Sequence, residues 1–145
     1  MITSIDHLNI VVRDLDLMCD FFVLLGFVVE DRAGLSGEWI SEIVGLKDVD
    51  AEYVKLAFPG SGMRLELIRY ETPHSDKPVD GGVAHDPGFR HLAFAVTALD
   101  DVVARLKKEG VSFLSSVRTY EVTGKRLVYF RGPEGILLEL AEYPA

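Results

Sequence analysis

Four residues of this chain have the types and spacing to hold a cation and move a proton: His7, Glu66, His91 and Glu139. Each histidine opens an apolar run, His7-Leu-Asn-Ile-Val-Val and His91-Leu-Ala-Phe-Ala-Val, and each glutamate sits inside Leu-Glu-Leu. Side chains alternate across a strand, so His7, Asn9 and Val11 share one face and Leu8, Ile10 and Val12 the other. By the same rule His91, Ala93 and Ala95 oppose Leu92, Phe94 and Val96. Glu66 opposes Leu65 and Leu67, and Glu139 opposes Leu138 and Leu140. The bulky apolar faces need a helix to cover them, which sends both histidines and both glutamates to the opposite face. One histidine on a strand is ordinarily a surface residue, and one glutamate in an alternating strand marks the solvent side. Two of each, at equivalent places in a duplicated unit, are harder to explain by solvent patterning. Burying such groups without partners is unfavourable, and a divalent cation removes that penalty. The pattern therefore points to a metal site. Imidazole and carboxylate donors without a thiolate suit Ni, Co, Zn, Mn or Fe(II) rather than structural zinc. Four such donors leave an octahedral ion open to water or substrate.

Parity adds Asn9, Lys55, Arg64 and Tyr129 to the same face as candidate substrate contacts. A lysine or arginine there pairs with a substrate carboxylate, and Tyr129 donates a hydrogen bond. Trp39 stands alone in a long first-half loop and is expected either to lid the site or to pack in the core. His74 and His85 fall in a Pro/Gly-rich stretch and read as surface residues. Cys19 is expected on a helix, buried, with no chemistry.

The positioning elements come from an internal duplication. A shift of 84 residues lays His7 on His91, Leu15 on Leu99, Asp16 on Asp100 and Gly26 on Gly110. A shift of 73 residues lays Gly62–Tyr70 on Gly135–Tyr143. The first half is therefore longer between its motifs by 11 residues, assigned to a loop or hairpin within Asp31–Ala51, where Gly34, Gly37 and Gly45 lie. Strands are predicted over Ile5–Val12, Tyr53–Phe58 and Arg64–Tyr70, then Arg90–Val96, Arg126–Phe130 and Ile136–Tyr143, with short strands near Phe27–Glu30 and Val111–Leu114. Leu15, Met18, Phe22 and Leu25 repeat at helical spacing, as do Leu99, Val102, Val103 and Leu106. Gly26 and Gly110 sit where helices end on a left-handed residue. The plan is β-α-β-β-β twice. One domain is expected over residues 1–145, with module one about 1–72, a linker about 73–88 and module two about 89–145.

With 23 acidic against 15 basic residues, the net charge of −8 disfavours nucleic acid and anionic membranes as partners. The single cysteine excludes an internal disulfide. The first residues carry no secretory signature and no apolar run suits a bilayer span, so a cytoplasmic protein is expected.

At Asp6-His7-Leu-Asn-Ile-Val-Val, Arg64-Leu-Glu66-Leu, Phe89-Arg-His91-Leu-Ala-Phe-Ala-Val and Gly132-Pro-Glu-Gly-Ile-Leu-Leu-Glu139-Leu the sequence resembles the vicinal oxygen chelate superfamily. That superfamily includes glyoxalase I, methylmalonyl-CoA epimerase, extradiol dioxygenases and fosfomycin- and bleomycin-resistance proteins. The resemblance covers essentially the whole chain. It implies an α+β fold of two tandem βαβββ modules, an open cup-shaped mixed sheet with helices outside. It implies His7, Glu66, His91 and Glu139 as ligands of one divalent metal ion per site, and a homodimer. It also implies a metal-dependent lyase or isomerase acting on a small molecule that chelates the metal. Such an enzyme stabilises an enediolate or enolate, with Glu139 or Glu66 as proton shuttle. The alternatives within the superfamily are an extradiol-type dioxygenase, which leaves the position of Glu66 without a ligand, and a non-catalytic binding or resistance protein. A fosfomycin-type thiol transferase needs a basic cluster not evident here. The epimerases usually place Gln at the position of Glu66. The chain also departs from bacterial glyoxalase I before its second histidine, where it reads Glu71-Thr-Pro-His-Ser-Asp-Lys-Pro-Val-Asp-Gly-Gly.

Overall fold

The computed structural model describes residues 1–145, which divide into two compact units, Met1–Pro78 and Val79–Ala145. The first unit runs β1 (His7–Val11), α1 (Leu15–Leu24), β2 (Val28–Ser36), α2 (Glu38–Val44), β3 (Asp50–Ala57) and β4 (Arg64–Thr72). The second runs β5 (His91–Ala95), α3 (Leu99–Lys108), β6 (Ser112–Phe113), β7 (Arg118–Tyr120), β8 (Lys125–Arg131), a 3-10 turn (Pro133–Gly135) and β9 (Leu137–Glu142). None of the helices is long and apolar enough to cross a membrane.

Each unit has its own mixed sheet. The first is ordered β1-β4-β3-β2, the second β5-β9-β8-β6, with β7 pairing on β8. The opening and closing strands pair in parallel, β1 on β4 and β5 on β9, while the other ladders are antiparallel. The parallel pairing brings the histidine strand beside the glutamate strand within each unit.

Leu15, Met18, Cys19, Phe21 and Phe22 of α1 are buried, together with Val54 and Leu56 of β3 and Leu65 and Leu67 of β4. Alternation puts those sheet residues on one face. Asp14 caps α1 by accepting from the Leu17 N–H at 2.9 Å. The helix ends on Gly26, whose φ of 107° suits glycine, and the Phe27 N–H returns to the Phe22 carbonyl at 3.0 Å. The second unit repeats this ending at Gly110, with the Val111 N–H on the Leu106 carbonyl at 3.0 Å. Its helix start differs. Ala98 takes the cap position at φ 54° and offers no side-chain acceptor. Glu142, at the end of β9, accepts from the Leu99 N–H at 3.1 Å instead.

The expected loop over Asp31–Ala51 is corrected. Strand β2 extends to Ser36, and α2 follows at once. Gly34 lies inside the strand, opposite Glu52. Ile40 of α2 packs with Val49, Ala51 and Ile68, flanked by Leu35, Val44, Tyr53 and Tyr70. Ala51, Tyr53, Ile68 and Tyr70 have the opposite parity to Val54 and Leu67. Helix α2 therefore covers one end of the sheet face away from α1, the face that carries Glu66. The core packing expected as one alternative for Trp39 does not hold: it is 56% exposed, because α2 turns Ile40 inward and leaves Trp39 on its outer side. His74 and His85 are exposed, as expected. Arg13 meets the His74 ring and donates to the carbonyls of Ser75 and Lys77, tying the segment after β4 to the β1–α1 turn within the first unit.

Candidate metal centre

In the first unit the β1–β4 ladder aligns His7 with Arg64 and Asn9 with Glu66. His7 and Glu66 thus project from one sheet face, two ladder positions from coincidence. The Asp6 carboxylate meets His7 Nδ1 at 2.7 Å. That contact holds the ring and leaves Nε2 as the nitrogen free to ligate. It also holds the Asp6 carboxyl below the usual carboxylate range, the His7 hydrogen bond being the largest cause. Asn9 Nδ2 donates to Glu66 Oε1 at 2.9 Å. On β3, Lys55 lies directly across from Glu66. The Tyr53 hydroxyl donates to Asp31 at 2.5 Å. That bond pushes the Tyr53 phenol up, with the charge of Glu66 contributing less. Arg64 Nε is drawn to Glu30 at 2.7 Å, at the end of the ladder.

In the second unit Ala93 aligns with Glu139, and His91 with Leu137. Glu139 is only 4% exposed and is the buried charged residue of the core. Its burial follows from β9, where Leu137, Leu138, Leu140 and Ala141 are also buried, so the strand is covered on both faces. Both carboxylate oxygens are engaged. His91 Nε2 lies 3.1 Å from Oε2, and Lys125 Nζ lies 2.8 Å from Oε1. Tyr129 stands opposite Glu139 in the β8–β9 ladder, its ring 4.8 Å from that of His91. Burial pushes the Tyr129 phenol up, and the charge of Glu139 adds to it.

The structure thus brings together His91, Glu139 and Tyr129 in one unit, and Asn9 with Glu66 in the other. Lys55 faces Glu66 by register, and Arg64 is committed to Glu30. No group of three or more His, Cys, Asp or Glu side chains is gathered as a formed metal cluster. The donor chemistry still fits a divalent cation. Each unit presents one imidazole and one carboxylate on one sheet face, and one of those carboxylates is buried and needs positive charge beside it. Sequence reasoning missed Lys125 and Tyr53. Both were within reach of the parity rule, Lys125 sharing its face with Tyr129 and Tyr53 with Lys55.

Two units that each set a histidine strand parallel to a Leu-Glu-Leu strand, with one imidazole and one carboxylate on a sheet face of each, define a duplicated α+β protein. The chain belongs to the Glyoxalase/Bleomycin resistance protein/Dioxygenase superfamily, whose sequence profile matches residues 4–140. A glyoxalase family protein from Bacillus cereus has a crystal structure that superposes with a TM-score of 0.92 at 34% identity, covering 100% of this chain and 97% of that one. The protein YwkD of Bacillus subtilis is 32% identical over 143 residues, 98% of each chain. A 2-epi-5-epi-valiolone epimerase from Actinomyces is 28% identical over 152 residues, 98% of this chain and 80% of its own.

Proposed function

We propose that this chain is a metal-dependent isomerase of the epimerase kind, moving a proton on the carbon beside a carbonyl of a small oxygen-rich substrate. The reading is carried by the buried Glu139 carboxylate beside His91, on a strand otherwise filled by apolar residues. A carboxylate kept there has a role beyond folding. The name of the epimerase relative supports the choice among the superfamily's chemistries. His7, Glu66, His91 and Glu139 are the residues proposed to hold a divalent cation. Bound there, the cation would supply Lewis acidity toward vicinal oxygens of the substrate.

The two glutamates have different environments, which suggests a division of labour. Glu139 is held at both oxygens and serves as an anchor. Glu66 is held at Oε1 by the neutral amide of Asn9, which leaves Oε2 as the proton acceptor and, in the return step, the donor. Tyr129, beside His91, is placed to donate to a substrate oxygen. Lys55, across from Glu66, is placed to orient an anionic or carbonyl group.

Elemental analysis of the wild-type protein, His7→Ala and His91→Ala is the first test. About one transition-metal ion per chain, lost in both variants, is expected. Exchange of the α-hydrogen of hydroxyketones and acyl thioesters in deuterated water, followed by NMR, then tests the proton transfer. Glu66→Gln should keep the metal and lose exchange. A wild-type protein that takes up no metal refutes this reading and leaves a binding module. Oxygen consumption with a catechol would move the assignment to the dioxygenases.

A further inference from the structure

The ladders place the two glutamates alike but give them different company. Asn9 stands opposite Glu66, and Ala93 stands opposite Glu139. Ala93 has no side-chain donor, and the second unit supplies an ammonium from the start of β8 instead, Lys125 Nζ at 2.8 Å from Glu139 Oε1. Oε2 is taken by His91 at 3.1 Å. A cation arriving at this carboxylate must therefore displace a group already there. His91, a proposed ligand of that same cation, would exchange the contact of its Nε2 with Oε2 for the ion and remain at the site. Lys125 is a competing positive charge, and two cations on one buried carboxylate repel each other. Lys125 also has somewhere to go. Its side chain is 24% exposed, its stem is long and flexible, and it already shares its charge with Tyr143, whose ring centre lies 5.5 Å from Nζ, so leaving Glu139 costs it only one of two partners.

We propose that Lys125 is a resident counter-cation of Glu139, neutralising the buried carboxylate until a divalent cation binds and then swinging toward Tyr143 and solvent. The proposal rests on the metal reading above. It makes Lys125 a positioning residue, holding Glu139 in its ligating place in the metal-free protein at the expense of metal affinity. An ordinary supporting partner of a ligand has the opposite effect, since its removal weakens metal binding.

Co2+ is titrated into the wild-type protein, Lys125→Met and Lys125→Arg, read by calorimetry and by the visible absorption of the bound ion. Lys125→Met should bind Co2+ about tenfold more tightly than the wild type, the reverse of losing a supporting partner. Lys125→Arg keeps a cation at the carboxylate and should bind near the wild-type level. A second measurement needs no variant. Acetylation of Lys125 by acetic anhydride, followed by mass spectrometry, should speed up when Co2+ is added to the wild-type protein. Equal or weaker Co2+ binding by Lys125→Met, or acetylation that Co2+ leaves unchanged, overturns the displacement. Binding by Lys125→Met alone supports it. No binding by any of the three proteins overturns the metal reading and this inference with it.

Discussion

Replacing Glu139 separates what the buried carboxylate does for folding from what it does for function. The site is 4% exposed and its β9 neighbours are apolar. A leucine there would bury nearly its whole side chain, contributing about 1.5–3 kcal/mol. Against this stand the charge-assisted bonds from Lys125 and His91, each contributing about 1.5–3 kcal/mol. Removing the carboxylate also removes its desolvation penalty of several kcal/mol. Stranding a buried partner is the damaging outcome, at about 3–5 kcal/mol, but Lys125 escapes it by reaching water. The terms nearly cancel, so Glu139→Leu should lie within about 1 kcal/mol of the wild type in metal-free buffer. Glu139→Ala loses the same bonds, fills nothing and leaves a void, and should fall about 2–5 kcal/mol below Glu139→Leu. Urea unfolding followed by circular dichroism measures both, with the slope checked for constancy. Co2+ binding should be lost in both variants. If Glu139→Leu is destabilised as much as Glu139→Ala, the ion pair itself stabilises the fold, and the argument for a carboxylate retained for function fails.

Three other outcomes follow from the geometry. The Glu142 carboxyl is held below the usual range, first by the Leu99 N–H and then by Arg126. Its stabilisation is therefore present above the unfolded pKa and lost as pH falls through the lower folded value. Glu142→Gln should lower Tm near pH 7, with the difference shrinking as pH falls through and below the usual carboxylate range. Ile40→Ala should cost about 2–4 kcal/mol, whereas Trp39→Ala should stay within about 0.5 kcal/mol, and denaturant titration of the pair tests how α2 is seated. Burial pushes the Cys19 thiol up, so iodoacetamide should label it slowly in the native protein and rapidly in urea.

Much of this architecture was written in local chemistry. The glycine ends of α1 and α3 and the alternation of the histidine and glutamate strands each follow from short-range rules. Helix α2 escaped because it spans only seven residues and buries Ile40 alone, too few for a period to show. Gly34 misled in the same stretch: it reads as a turn, yet it lies inside an edge strand. Lys125 was missed by one residue, because an expected strand beginning at Arg126 stopped short of it. Alternation assigned Glu139 to the correct face but could not reveal its burial, which depends on what covers β9 on its second side.

The start of α3 is tied off by a residue 43 positions later, whereas α1 is tied off by Asp14, three positions before its donor. The two helices therefore differ in how early in synthesis they can be finished. As the chain leaves the ribosome, α1 has its cap in hand when its first turn forms. Helix α3 must wait for nearly the whole second unit to be translated before its exposed N–H groups find their acceptor. Closing that long loop is the slower event. Two near-copies of one plan thus carry different folding schedules, with the second held open until its last strand arrives.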